Sequence, residues 1–168
     1  KDLEERPNDP RTVYYIGHAH LEQAGPNPAQ DIRNGHGPGH YHLNEALKYF
    51  RWRADIREGY YEERWFAMLK AGEICERYMA DYECSIGMWT RASELDPERA
   101  DSWFYIGQHW RLAQVYDTAI SWLSKAVKIE KPPRSMFQWE YLYDCLRHLE
   151  MGRAVMYAPS ASGKSWKL

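Results

Sequence analysis

The amino-acid sequence predicts an all-α protein, a right-handed solenoid of about three helical hairpins closed by a capping helix. Three observations carry this. Trp103, Ile106, Gly107, Trp110, Ala119, Leu123 and Ala126 place large, small and aromatic residues at helical intervals on two successive segments. The second half of that pattern returns one unit earlier, at Ser85, Trp89, Ala92 and Pro97. Nowhere does the chain alternate strand-like with helix-like runs, as a parallel sheet requires.

Taken in chain order, the first helix is opened by Asp9-Pro10, with proline at the tolerated first-turn position, and carries Val13, Ile16, Gly17 and His20. Its partner is expected over Leu43 to Ile56, with Ala46 and Phe50 in the small and large slots. Between them lies an insertion of about 17 residues relative to the clean repeat. This is Pro26 to Tyr41, rich in Pro, Gly, Asn and His, and predicted to be a loop. The next first helix should run from Glu62 to Tyr78, with Trp65 and Met68 on its packed face and Ala71-Gly72 at the close approach. Its register is off by one residue, which calls for a lengthened turn near Met79 to Asp81. The third hairpin ends at Lys131-Pro132-Pro133, and Phe137, Tyr141, Cys145, Leu146 and Leu149 mark a capping helix over Met136 to Glu150. The solenoid thus spans residues 1–157, with residues 158–168 as a disordered tail.

Packing explains the spacing. Gly107 and Ala119 let two antiparallel helices approach closely, and Trp103, Trp110 and Leu123 fill the space around that contact. The pattern resembles the tetratricopeptide repeat, whose unit is about 34 residues long. Such units bury an apolar face only against a neighbour, so about three of them and a cap make a stable stack. This resemblance implies a binding scaffold before it implies catalysis.

Composition sets the remaining bounds. With 44% hydrophobic residues, 168 residues suffice for one domain with a sizeable core. A net charge of −2 with 27% charged residues offers no electrostatic case for nucleic acid or an anionic membrane. The aromatic content is unusual, with 8 Trp and 13 Tyr, and in helical repeats such rings sit mostly between helices. Cys75, Cys84 and Cys145 are an odd, scattered set without a Cys-x-x-Cys pair, which predicts buried thiols in a reducing compartment. No apolar run reaches the roughly 20 residues of a membrane span. The expectation is a cytoplasmic chain, and a first residue of Lys1 rather than Met suggests a fragment or processed product.

A closer resemblance rests on named segments: Asp9-Pro10-Arg11 with Tyr14-Tyr15-Ile16; Glu45 to Phe50; Tyr60 to Ala67; Ala92 to Asp101; and Phe137 to Tyr143. In order and spacing, this run from Asp9 to Tyr157 resembles the helical tail that follows the catalytic domain in many family 2 glycosyltransferases. The resemblance implies an accessory region that places an acceptor or mediates assembly. The catalytic part of such an enzyme is an α/β nucleotide-sugar domain with an Asp-x-Asp metal motif. This chain has no Asp-x-Asp triplet, so no catalytic residue carries over. The His-rich insertion and the C-terminus depart from the family pattern.

Register places Arg11, Tyr14, His18, Leu69, Glu73, Phe104, Gln108 and Arg111 on the concave wall of the stack. Rings mixed with Arg and Glu suit an extended peptide or a helix through stacking and charge-assisted hydrogen bonds. The Asn and Lys pattern of a chaperone-tail carboxylate clamp is absent, which argues against a co-chaperone role. The expected partner is a protein or peptide, with self-association as the alternative for a structural scaffold; neither nucleic acid nor a membrane is expected. A third reading makes the chain part of a glycosyl- or phosphoryl-transfer enzyme that helps bind the acceptor.

Other clusters have competing readings. His36, His40 and His42, with His18 and His20, could supply imidazoles to Zn²⁺ or Ni²⁺, or be a polar loop without anchoring carboxylates. Ala158 to Ser165 matches a permissive phosphate-binding loop in which the Gly163 backbone, Lys164 and Ser165 would hold phosphate and Mg²⁺, with Ala154 to Tyr157 as its strand. Only three residues follow Ser165, so the motif cannot work as it stands, and no cofactor is implied. Arg51, Trp52, Arg53 and Arg57 form a basic, aromatic spot that Asp55, Glu62 and Glu63 should neutralise in surface ion pairs.

Overall fold

Helix start signals in the sequence become helix starts in the structure. The computed structural model describes Arg6 and residues 8–25, 37–132 and 137–159, and every regular element among the described residues is helical. Helix α1 is Pro10–Gln23, capped by Asp9, whose carboxylate accepts from the Thr12 N–H at 2.7 Å. Hydrogen bonding from the Thr12 side chain, and then from that N–H, holds the Asp9 carboxyl below its usual range.

Helix α2 is Pro38–Asp55. It begins before the predicted Leu43, because Pro38 supplies a second first-turn proline; residues 38–41 are therefore helical rather than loop. The rest of the predicted insertion, residues 26–36, lies outside the described residues.

Helix α3 is Tyr61–Ile74, and it continues into one π-helical turn, Cys75–Met79. Ala80 then takes a left-handed conformation with φ 52°. This π turn and the left-handed residue after it lie where the off-by-one register called for extra length. Asp81 opens helix α4, Tyr82–Leu95: its carboxylate accepts from the Cys84 N–H at 3.0 Å and its carbonyl from the Ser85 N–H at 3.0 Å.

The remaining elements are α5, Ala100–Leu112, α6, Tyr116–Lys128, and a π turn at Leu142–Leu146 that runs into α7, Arg147–Tyr157. A helix lies where the cap is expected, but displaced. It reaches Tyr157 rather than stopping at Glu150, so Ala154 to Tyr157 are helical and not the strand of a phosphate-binding loop.

The chain divides into two units, Lys1–Ala92 and Ser93–Leu168. In the first, α1 packs on α2, α2 on α3, and α3 on α4 through Gly72 and Trp89. Its core includes Val13, Leu43, Ala46, Phe50, Trp65, Met68, Ile74 and Trp89, all at most 2% exposed. In the second, α5, α6 and the capping helix enclose Ala100, Phe104, Ala119, Leu123, Ala126, Leu142, Tyr143 and Ala154.

One contact recurs in all three hairpins. A glycine on the first helix meets a large side chain on the second: Gly17 on Phe50, Gly72 on Trp89 and Gly107 on Leu123. A Cβ at these positions would lie 3.0 Å from Phe50 Cδ1, 2.6 Å from Trp89 Cδ1 and 2.5 Å from Leu123 Cγ. At Gly72 and Gly107 a side chain fits only if a neighbour moves, and at Gly17 the contact would be tight.

Buried polar groups secure the helix ends. Fully buried Arg53 donates to the Ile56 and Tyr60 carbonyls at 3.0 and 2.8 Å, closing the turn after α2. Arg147 does the same after α6, donating to Ala126 O at 2.8 Å and to Ile129 O. Ile56 O, Ala126 O and Ile129 O are carbonyls that a helix C-terminus leaves without an intrahelical partner, while Tyr60 O is the N-cap carbonyl of α3. At the start of α5, the Tyr143 hydroxyl accepts from the Ala100 N–H at 3.1 Å and donates to the Asp101 carboxylate at 2.9 Å. Burial pushes the Asp101 carboxyl above its usual range, against the opposing pull of Arg99.

Gly107→Ala and Gly72→Ala should each destabilise the fold by about 1–3 kcal/mol through overpacking, outweighing the roughly 1 kcal/mol of helix propensity gained. The control is Gly87→Ala in α4, where nothing lies within 4 Å of the new methyl, and it should be neutral or stabilising. Urea denaturation checks both; equal effects at all three sites would remove the close-approach argument. Tyr143→Phe, which keeps the packing and removes the hydroxyl, should cost about 1–3 kcal/mol, read by the same denaturation.

Candidate binding site

The predicted wall residues of the first unit lie on α1 and α3, but they do not share one environment. Tyr14 is only 3% exposed, with its ring edge-on to His18 at 4.6 Å and 6.5 Å from Phe50. Leu69 is 5% exposed, and its carbonyl accepts from Trp89 Nε1 at 3.3 Å. Both are interior residues and not ligand-facing, because the two helices pack their intervening rings together. His18 lies flat against Phe66, centroids 5.7 Å apart and planes 3° apart.

What remains open is charged. Arg11 projects to solvent and reaches the buried Glu63 carboxylate at 3.4 Å. Glu73 is held by Lys70 and Arg77, each at 2.8 Å. Lys70 also stands 5.3 Å over the Phe66 ring. Of the predicted wall in this unit, Arg11 and Glu73 stay open, next to Lys70 and Arg77 and a half-buried His18 and Phe66.

In the second unit Phe104 is fully buried, edge-on to Trp139 at 6.4 Å, so it too belongs to the core. Gln108 is half-buried. Arg111 is committed to Glu150, a carboxylate 2% exposed that Arg153 also binds at 2.7 Å. Sequence reasoning missed a cation–aromatic cluster here. Trp103 and Trp122 stack at 5.6 Å, and Lys125 stands 4.4 Å from both rings. The spacing Trp122-x-x-Lys125 was its available signal, since residues three apart share a helix face.

Among the described residues, His40 and His42 do not face one metal seat together. His40 and His42 are two residues apart on α2, which points them to different faces of a helix. His40 lies against the Asn44 side chain at 3.3 Å, whereas His42 Nδ1 meets His20 Nδ1 at 2.9 Å. His36 lies outside the described residues, as do Gly163, Lys164 and Ser165. His20 stacks on Tyr49 at 5.8 Å, which in turn stacks on Trp52 at 5.9 Å. Burial, then the neighbouring His42, lowers the His20 pKa below 6.5. Burial and then Lys70 lower that of His18.

Two further expectations are corrected. The basic spot on α2 is not a set of surface ion pairs: Arg53 is a buried clamp, and among the described residues Arg51 binds sulfur rather than carboxylate. Asp55 pairs instead with Arg91 at 2.7 Å, and Glu63 with Arg11. Nor are all three cysteines thiols. Cys75 and Cys84 form a disulfide, because the π turn and the left-handed Ala80 bring residues nine apart to a Cα separation of 5.9 Å. Cys145 is free and half-buried. Among the described residues, Cys75, Asp81 and Cys84 are a group whose ligand atoms lie within 4.8 Å of one another. With its sulfurs paired it offers no thiolate to a metal.

No protein-family model matches the chain, and no curated protein matches it with significance. Among the described residues no helix is long and apolar enough to cross a membrane.

The depressed imidazoles give a pH dependence of known sign. Unfolded histidines take up protons near 6.5 while His18 and His20 resist in the folded state. Their contribution is complete above that value and is lost as pH falls through the folded pKa values. Melting temperature should therefore drop between about pH 7.5 and about pH 5, and the drop should shrink in a His18→Phe, His20→Gln chain. An unchanged slope in that variant would assign the pH dependence to other groups.

Proposed function

We propose that the chain is a non-catalytic helical-repeat module of the tetratricopeptide kind that binds a protein or peptide partner. The observation that carries this reading is the recurrence of the glycine-on-large-residue contact at Gly17–Phe50, Gly72–Trp89 and Gly107–Leu123. Hairpins built on one packing rule form repeat scaffolds, and such scaffolds present first-helix surfaces to ligands. In this reading the chain is an accessory region of a family 2 glycosyltransferase, with the sugar chemistry carried by a separate α/β domain. Support for that assignment is the order of segments between Asp9 and Tyr157.

Burial narrows the binding residues. In the first unit Tyr14 and Leu69 are interior, which leaves Arg11, His18 and Glu73 to meet a ligand; in the second, Phe104 is interior and Arg111 is engaged with Glu150, which leaves Gln108. Charge-assisted hydrogen bonds from a peptide backbone and side chains to Arg11, Lys70 and Glu73 suit an extended segment carrying both signs of charge.

A specific observation favours the scaffold alternative. Leu112, Met156 and Tyr157 are 61%, 70% and 63% exposed, and Tyr116 packs on Tyr157 with centroids 5.9 Å apart. Apolar surface of this kind on one unit suits self-association.

Panning a library of short displayed peptides on the chain, then titrating the selected peptides by fluorescence anisotropy, separates the two readings. Peptide binding should weaken about 5- to 20-fold in Glu73→Gln or Lys70→Gln with unchanged melting. Sedimentation should then show a monomer. No selectable peptide, together with a dimer that dissociates on Met156→Glu, would replace the binding module with the assembly scaffold.

A further inference from the structure

The Cys75–Cys84 disulfide lies in surroundings built for exchange as well as for bracing a turn. Cys75 is fully buried at the start of the π turn. Cys84 is half-buried in the first turn of α4, at the positive end of the helix dipole, with its own N–H bonded to the Asp81 carboxylate at 3.0 Å. Arg51, reaching across from α2, donates from Nη2 to Cys84 Sγ at 2.8 Å and lies 3.8 Å from Cys75 Sγ. A guanidinium against a disulfide does nothing for a neutral bridge that only staples, but it stabilises a thiolate as the bond opens.

Cys84 also lines an open cleft of about 360 Å³, whose wall includes Arg51 and Arg91 together with Asp81 and Glu83. Arg51 and Asp81 stand beside the sulfur, with Glu83 and the Asp55-paired Arg91 further along the same cleft, and this mix of charges matches a small thiol carrying both carboxylates and an ammonium group.

We propose that Cys84 is a site of reversible S-thiolation by a low-molecular-weight zwitterionic thiol of the glutathione class. The incoming thiolate attacks Cys84 Sγ and its electron pair forms the new S–S bond. The Cys75–Cys84 bond breaks with its pair moving to Cys75 Sγ, which then takes a proton from water. One disulfide is exchanged for another, with no net oxidation. In reverse, the Cys75 thiolate displaces the small thiol and closes the bridge again. The consequence is a turn between α3 and α4 that is covalently tied in one state and released in the other.

The test uses the full chain with Cys145→Ser, which leaves only the two sulfurs in question. Cys75→Ser in that background leaves Cys84 alone, and oxidised glutathione should form a mixed disulfide on it, located by peptide mass mapping. The reciprocal Cys84→Ser chain should react at Cys75 at least about tenfold more slowly. Arg51→Gln should slow the Cys84 reaction about tenfold, with partial rescue in Arg51→Lys. The uncharged disulfide of mercaptoethanol should lose the advantage in either case. Preferential adduct on Cys75, a Cys84 rate indifferent to Arg51, or two free thiols at Cys75 and Cys84 in the air-oxidised chain would each overturn the proposal. None of these outcomes depends on whether the protein binds peptides.

Discussion

A bare glycine pressed against a large side chain is the contact on which this protein's hairpins depend. Gly17, Gly72 and Gly107 give up helix propensity of about 1 kcal/mol each to let a second helix approach within the radius of a missing Cβ. Phe50, Trp89 and Leu123 then reach the neighbouring backbone, and the small positions one turn before two of them, Ala46 and Ala119, are fully buried in the same seam. Ser85 holds that slot in the second hairpin, where its hydroxyl is satisfied by Glu76 at 2.9 Å and the Tyr82 carbonyl at 3.1 Å. The rule tolerates a polar atom only where a partner is in reach.

Close helices bring their ends close as well, and ends carry unpaired carbonyls. Arg53 after α2 and Arg147 after α6 solve the same problem with the same chemistry, a mostly buried guanidinium forked onto two carbonyls of a turn. Tyr143 solves the opposite one at the start of α5, where an N–H needs an acceptor. These polar groups are placed by backbone demand. They resemble a binding constellation in composition, yet their hydrogen bonds are spent within the fold.

Surface charge follows the same logic less tightly. Lys70, Glu73 and Arg77 are paired but reach solvent, so a ligand can exchange with those pairs at small cost, since exposed ion pairs contribute roughly 0–1 kcal/mol. Arg11 with Glu63 and Arg111 with Glu150 are different in kind. Each carboxylate is 2% exposed, so drawing its arginine away strips a buried charge of a partner, leaving Glu150 with Arg153.

Helical class, the slots of each close contact, the start of α1 at Asp9-Pro10 and the need for extra length near Met79 were all legible in the sequence by itself. Each depends on local spacing or local backbone chemistry. Tertiary structure alone decided which helix face is covered. Tyr14, Leu69 and Phe104 read as wall residues by register, and they are interior because neighbouring helices pack over them, which no periodicity within one helix encodes. It also decided the partners of groups far apart in the chain. Arg51 meets Cys84 thirty-three residues on, His20 meets His42 twenty-two on, and Cys75 joins Cys84 only because a π turn and a left-handed alanine redirect the chain. Spacing in sequence reports neighbours along a helix; contacts across helices are set by the distance between axes, and here three glycines set that distance.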